Sequence, residues 1–367
     1  MRILHTEAAT GWGGQEIRIF REAKGMRDKG YQVFIHASPE SQLLKRSIED
    51  GFDTKPVIFQ RRRFFNVFTE LKRFIESMEI DIVNTHSSRD SWLALPAARL
   101  AKNKPLVLRT RHLSTPIGRN LSTRFLYNTL PHINITTGEA IKEQMVRINH
   151  FNPHRIISIP TGVDTEAFNP DMEHVDIRKE LNLKPSTPLV GAVSVIRSWK
   201  GLDYLVKAVP LILKKLPDAR FVIAGDGPYR KTLEKTIKET GTGDKVYLLG
   251  HREDIVSVIH SIDVLVHPSY ANEGVPQTIL QAMAMKKPVI ASNLPALKEV
   301  VIEEKTGIIV PLKNPDKISE ASVRLLCDKE LSKQLGESSR KLVVSKYSFA
   351  GMLDKLEALY ARTIQSV

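Results

Sequence analysis

Short runs of aliphatic and β-branched residues alternate with amphipathic segments along nearly all of the 367 residues. This alternation restricts the fold more than any single motif does. In the first half the runs are 2–6, 32–36, 80–85, 106–110, 133–137 and 155–159. Segments with helical spacing lie between them, such as 16–29, 66–78 and 140–148. A stretch such as Pro105-Leu106-Val107-Leu108 has no charged or hydrogen-bonding side chain, which marks a strand covered on both faces of a parallel sheet. Strand–helix alternation of this kind predicts an α/β fold with a doubly wound sheet.

The pattern lapses over 161–188, which is rich in Pro, Asp, Glu and Asn and reads as a linker with one short helix. It restarts with runs at 189–194, 220–224, 246–249, 264–267, 289–291 and 307–310. Helical segments there include 202–214, 230–240 and 278–285. A last amphipathic helix is expected over 348–364, where Leu353, Leu356, Leu359 and Tyr360 share a helical spacing. Two similar domains are therefore predicted, over 1–165 and 166–347, with 348–367 as a closing segment. The carboxyl ends of their strands would line a cleft.

Composition removes several classes. Hydrophobic residues make up 42% and charged residues 26%, which excludes disorder as the main state. The single cysteine, Cys327, excludes a disulfide scaffold and any multi-cysteine metal site, and points to a reducing compartment. Glu7 comes too early for a secretory signal peptide. No run approaches the roughly 18 apolar residues of a membrane-spanning helix. The expectation is a cytoplasmic protein.

The net charge is +13, and it leans to the N-terminal half. No acidic residue occurs from Ser91 to Gly138, where Arg99, Lys102, Lys104, Arg109, Arg111, Arg119 and Arg124 fall. A second cluster, Arg61-Arg62-Arg63-Phe64-Phe65, continues with Phe68, Lys72, Arg73 and Phe74. Basic residues interleaved with aromatics suit a surface that meets anionic lipid headgroups or nucleic-acid phosphates. They equally describe a solvated positive face over buried phenylalanines. Helix–turn–helix, zinc-finger and aromatic-platform signatures are missing, which disfavours nucleic acid.

Three segments carry candidate chemistry. After the first run comes Gly11-Trp12-Gly13-Gly14-Gln15-Glu16, a Gly-rich strand-to-helix loop. Such a loop is either a tight turn or a place where backbone N–H groups approach an anion. Its spacing matches neither the dinucleotide fingerprint nor a Walker loop. Arg197-Ser198-Trp199-Lys200-Gly201 places two cations just past a strand end, where both could reach one diphosphate. Otherwise it is an ordinary basic helix start. The third segment runs from His267 to Ala284, with Glu273 in a loop and a helix opening at about Pro276. Glu273 beside the free N–H groups of Gly274, Val275 and Gln277 could bind sugar hydroxyls, or simply complement a helix start. Gln281 lies one helical turn further on.

Glu273 followed eight positions later by Gln281 resembles the E-x7-E motif of retaining glycosyltransferases of family 4. Supporting matches occur in family order over the whole chain. They are Gly13-Gly14-Gln15-Glu16, Ile159-Pro160-Thr161-Gly162-Val163-Asp164 with Phe168-Asn169-Pro170, Arg197-x-x-Lys200-Gly201, Ala224-Gly225-Asp226-Gly227-Pro228, Leu249-Gly250-His251 and Thr306-Gly307-Ile308-Ile309-Val310-Pro311. The resemblance implies the GT-B architecture, two Rossmann-like domains facing across a nucleotide-sugar cleft, with the last helix crossing back to the first domain.

By the resemblance, Arg197 and Lys200 hold the donor diphosphate, and Gly13 and Gly14 lie near the phosphates or donor sugar. Glu273 binds sugar hydroxyls with the amides of Gly274, Val275 and Gln277 around Pro276. Gln281 stands where the family has a glutamate for the ribose, and an amide there bonds a diol without charge assistance. Gly250 and Arg252 would border the base. His112, just past the run 106–110, matches the family's histidine near the reacting sugar, although alone it reads as structural. His86 is a supporting candidate, and Glu16 and Arg109 are candidate acceptor contacts.

The family retains anomeric configuration, by front-face substitution in which the leaving phosphate oxygen helps deprotonate the acceptor. The chain has no D-x-D motif, so no metal is expected, and the nucleotide-diphosphate-sugar is a co-substrate rather than a cofactor. The basic first half suggests an anionic or lipid-linked acceptor of the cell envelope, such as a lipopolysaccharide core, and a peripheral place on the inner face of the membrane. A nucleotide-sugar epimerase of similar fold is the competing enzymatic reading.

Overall fold

The computed structural model describes residues 1–364, so the last three residues of the anticipated closing segment lie outside the described residues. The described residues divide into two compact units. One is Met1–Thr161 with the segment that begins at Met352, and the other is Gly162–Gly351.

The first unit holds seven strands: β1 (Arg2–Glu7), β2 (Gln32–Ala37), β3 (Asp53–Pro56), β4 (Ile82–Thr85), β5 (Leu106–Arg111), β6 (Ile133–Thr136) and β7 (Ile156–Ser158). They form one sheet in the order β3-β2-β1-β4-β5-β6-β7. Every pairing is parallel. The order reverses between β1 and β4, and ligands of open α/β sheets bind beside such a switch point at the strands' carboxyl ends. Register sets which side chains meet there: His5 pairs with Asn84, and Asn84 with Leu108. With a period of two, His5, Asn84 and Leu108 share one face, and so do His86 and His112 at its carboxyl edge.

Leu4, Phe34, Val83 and Val107 fill the opposite face and pack under the helices Phe64–Ser77 and Ser88–Arg99. Strand β3 went unread in the sequence because Asp53-Thr54-Lys55-Pro56 has no apolar pattern. It is an edge strand with one neighbour, where a proline is tolerated.

The second unit holds β8 (Leu189–Val193), β9 (Arg220–Ala224), β10 (Val246–Gly250), β11 (Val264–His267), β12 (Val289–Ser292) and β13 (Ile308–Val310). The order is β10-β9-β8-β11-β12-β13, again wholly parallel, with its switch point between β8 and β11. Both faces are covered. Val190, Ala192, Phe221 and Ile223 point into one apolar cluster, while Leu189, Val193, Val222 and Ala224 point into another. This double burial is why the strand runs read as continuously apolar.

The stretch 161–188 is not a free linker. Its short helix is Ile177–Glu180, and Val163, Phe168 and Ile177 are buried in the second unit's core. Polar composition masked three anchoring apolar residues. The final helix is Phe349–Ile364. Lys29 Nζ is 2.8 Å from Asp354 and 2.9 Å from Glu357, and the Tyr31 hydroxyl donates to Glu357 at 2.7 Å.

Candidate active site

In the second unit, β8 ends at Val193, and the chain makes a single 3-10 turn, Ser198–Lys200, before the helix Leu202–Leu213. Gly201 fixes that turn with φ +65°. A Cβ on it would stand 2.2 Å from the Pro268 carbonyl oxygen, so only glycine lets the turn settle on the segment after β11. Tyr270 N–H also donates to the Trp199 carbonyl at 2.9 Å. These contacts bring Lys200 Nζ to 2.6 Å from Glu273 Oε1.

His267 Nε2 lies 3.5 Å from the same oxygen, and Ser269 Oγ lies 3.2 Å from His267 Nε2. Burial alone would push the Glu273 carboxyl up, but the charge of Lys200 and the hydrogen bonds from His267 and Lys200 hold it down at about 2. Glu273 is therefore ionised at neutral pH and only accepts hydrogen bonds. Burial lowers His267, with Glu273 opposing the shift. Arg197 is exposed, with its guanidinium 5.1 Å from the Trp199 ring centre, and pairs with no carboxylate among the described residues.

After Glu273 the helix is Gln277–Ala284, with Pro276 as N-cap, one residue earlier than a first-turn proline. The N–H groups of Gly274 and Val275 donate to no described residue. The Val275 side chain is buried in the core, so only its backbone is available there. Gln281 is buried one turn beyond Gln277, whose Nε2 is buried without a partner. Arg197, Lys200, Glu273, Gly274–Gln277 and Gln281 thus belong to the two segments that leave β8 and β11, the strands at the switch point.

Gly250 and Arg252 stand apart, at the end of β10, two strands from β8. The Gly250 carbonyl accepts from Gly225 N–H at 2.7 Å. The Arg252 guanidinium is engaged by Glu180 at 2.7 and 2.9 Å and by Asp254 at 2.8 and 2.7 Å.

In the first unit, Gly13 is the N-cap of the helix Gly14–Asp28. Glu16, expected to meet an acceptor, accepts from Gly13 N–H at 2.9 Å and so closes the helix start. Gly14 is exposed, and a Cβ on it would meet nothing within 4 Å. Glu7, at the end of β1, accepts from Ala9 N–H at 2.7 Å and from the Gln15 amide. Burial, then the Asp90 charge, pushes its carboxyl up to about 8.

Arg109 is buried: its guanidinium donates to the Tyr127 hydroxyl at 3.0 Å and Ser88 Oγ at 3.3 Å, which packs the helix Ser88–Arg99. Arg111 donates to the Thr115 carbonyl at 2.6 Å. Arg109 and Arg111 are therefore internal or tied down and Arg99 meets the His132 ring, while Arg119 and Arg124 are exposed. His86 and His112 follow β4 and β5, with His86 Nδ1 3.1 Å from His112 Nε2.

Sequence reasoning passed over His5, Glu7, Asp90, His267 and Ser269. The available signal was strand parity: His5, His86 and His112 stand two-fold in phase on adjoining strands. No group of three or more His, Cys, Asp or Glu residues among the described residues could hold a metal ion.

Two wholly parallel, doubly wound units, each with polar groups at its switch point, define a protein of the GT-B class. Comparisons agree. The family model "Glycosyl transferases group 1" matches residues 174–342, and "Glycosyltransferase Family 4" matches residues 12–167. The Escherichia coli UDP-Gal:alpha-D-GlcNAc-diphosphoundecaprenol alpha-1,3-galactosyltransferase is 30% identical over 302 residues, covering 79% of this chain and 77% of that protein. The GDP-mannose-dependent alpha-(1-6)-phosphatidylinositol monomannoside mannosyltransferase of Mycobacterium tuberculosis is 28% identical over 305 residues, covering 79% and 78%. A glycosyltransferase from Rickettsia africae has the same fold, with a TM-score of 0.89 at 21% identity over 99% of this chain and 98% of that one. The chain belongs to glycosyltransferase family 4.

Proposed function

We propose that this glycosyltransferase moves a sugar, with retention of anomeric configuration and without a divalent metal, from a nucleotide-diphosphate-sugar to a hydroxyl of a glycan or lipid-linked acceptor in cell-envelope synthesis. The Lys200–Glu273 pair with unpaired Arg197 beside it is the observation that carries this reading. A diphosphate competes with Glu273 for Lys200 and takes Arg197 as a second cation. The planar guanidinium and the point ammonium then neutralise the charge that builds on the leaving group. Glu273, released and ionised, accepts from sugar hydroxyls, while the free Gly274 and Val275 N–H groups supply donors. Gln281 would contact the ribose, and Gly250 with Arg252 would border the base. On the first unit, Gly13 and Gly14 are assigned to the donor, and His112, supported by His86, to the reacting sugar.

Two curated relatives are named for lipid-linked acceptors, a diphosphoundecaprenol and a phosphatidylinositol mannoside. No helix among the described residues is long and apolar enough to cross a membrane. Exposed Phe65 and Leu121, at 80% and 84%, stand beside exposed cations, Arg62 and Arg63 with the first and Arg124 near the second. This supports a peripheral site on an anionic inner-leaflet surface.

The test is a transfer assay over a panel of nucleotide-sugars and undecaprenyl-diphosphate sugars, read by NMR of the product anomer, with and without EDTA. A product of the donor's own anomeric configuration, formed equally in EDTA, is expected. Inversion, activity restored only by magnesium, or epimerised donor without acceptor each refutes a stated part.

A further inference from the structure

His112 is the open end of a three-ring chain. His5 Nδ1 lies 3.0 Å from His86 Nε2, and His86 Nδ1 lies 3.1 Å from His112 Nε2. The rings come from β1 and from the residues just past β4 and β5, neighbouring strands whose parallel register places all three on one face. All are buried, and His112, at 8%, is the most exposed. Burial holds each below the ordinary histidine value, so the rings are neutral at physiological pH.

A neutral imidazole has one N–H and one bare nitrogen, and each ring–ring bond uses one of each. The chain therefore has two proton arrangements, and every ring adopts the same sense. Either each Nδ1–H points toward His112, which then ends in Nδ1–H, or each Nε2–H points back toward His5, and His112 ends in a bare Nδ1. At the far end His5 Nε2 is buried without a hydrogen-bond partner.

The surrounding charges separate the two arrangements. Glu22, on the helix Gly14–Asp28, acts on His5 and lies 3.5 Å from Asn84 of β4. Arg18 and Arg111 act on His112, and Arg18 and Arg109 on His86. Negative charge at the His5 end draws the N–H groups that way, and positive charge favours a lone pair at the His112 end.

We propose that His5 and His86 are positioning residues that fix His112 in the tautomer with a bare Nδ1, an acceptor for a hydroxyl of the sugar it meets. The sugar as ligand rests on the function proposed above, whereas the tautomer chain does not. The orienting role matches that of outer partners of functional histidines, which fix tautomer and ring direction.

Side-chain 15N NMR of histidine-labelled protein without substrate tests this. His86 and His112 are expected as Nε2–H tautomers. His5→Phe removes the terminal acceptor and should convert His112 to a mixture or to Nδ1–H. His5→Asn, whose Oδ1 replaces Nδ1 as acceptor, should restore the wild-type spectrum. In turnover, His5→Phe should lower kcat about tenfold with little change in donor KM, and His5→Asn should recover it. A His112 tautomer unmoved by His5→Phe, or Nδ1–H in the unmodified protein, overturns the proposal. If His5→Phe does not fold, the wild-type spectrum and that of His5→Asn decide. Because the spectra need no substrate, a failed transferase assay leaves this result intact.

Discussion

Lys200 Nζ and Glu273 Oε1 stand 2.6 Å apart, so the ammonium after β8 is neutralised by a buried carboxylate from the segment after β11. Each is the other's counter-charge, and under the proposed function a diphosphate and a sugar would replace them. Lys200→Ala is expected to lower kcat/KM about 100-fold, the scale of a lost charge-stabilising group. It leaves Glu273 buried with only His267 beside it, at a stability loss of up to about 3 kcal/mol. Steady-state kinetics with urea unfolding reads both, and wild-type turnover in a folded variant would mean that the diphosphate binds elsewhere.

Glu273 also predicts an acid dependence. Its native value of about 2 lies below the ordinary 4.5, so its stabilisation is complete above about 4.5 and is lost as pH falls toward 2. Unfolding midpoints of wild type and Glu273→Gln should converge across that window. A constant gap would show that the Lys200 pair does not hold the carboxyl down.

Glu7 carries the opposite sign. With a native value of about 8 against 4.5, the folded chain keeps a proton that the unfolded chain releases, so stability falls as pH rises from about 4.5 to about 8. The melting temperature of Glu7→Gln relative to wild type should climb over this range and level off above it. A pH-independent difference contradicts the shift.

Gly14 separates folding from function. Nothing lies within 4 Å of a Cβ there, and alanine at a helix start adds up to about 1 kcal/mol of helix propensity. Gly14→Ala should melt no lower than wild type yet raise donor KM, since under the proposed function the methyl group would occupy space that the donor takes. Unchanged KM would remove Gly14 from the site.

The apolar residues beside exposed arginines predict salt-sensitive retention on vesicles containing phosphatidylglycerol. Phe65→Ser with Leu121→Ser should reduce retention without lowering the melting temperature. Equal retention of the double variant, or none by wild type at low salt, excludes this surface.

The residues that entered the sheets were legible where both faces are buried. Val190 and Val193 belong to different apolar clusters, and a run that must serve both announces itself as a strand. Strand β3 was silent because an edge strand needs only backbone pairing. The positions of Arg197, Lys200 and Glu273 just past strand ends were legible, because strand runs and the turns after them are local patterns. Their partnership was not, because the approach of two segments 73 residues apart depends on Gly201 seating against Pro268.

The sequence by itself determined two doubly wound parallel sheets and the order of polar groups at their strand ends, because hydrophobic period and local turn chemistry are written residue by residue. Only the tertiary structure decided which of those groups are spent. Arg109 and Glu16 went to packing and capping, and His5 into a chain with His86 and His112. Burial and pairing are properties of neighbours brought together across the sheet, and no local pattern encodes the distance between them.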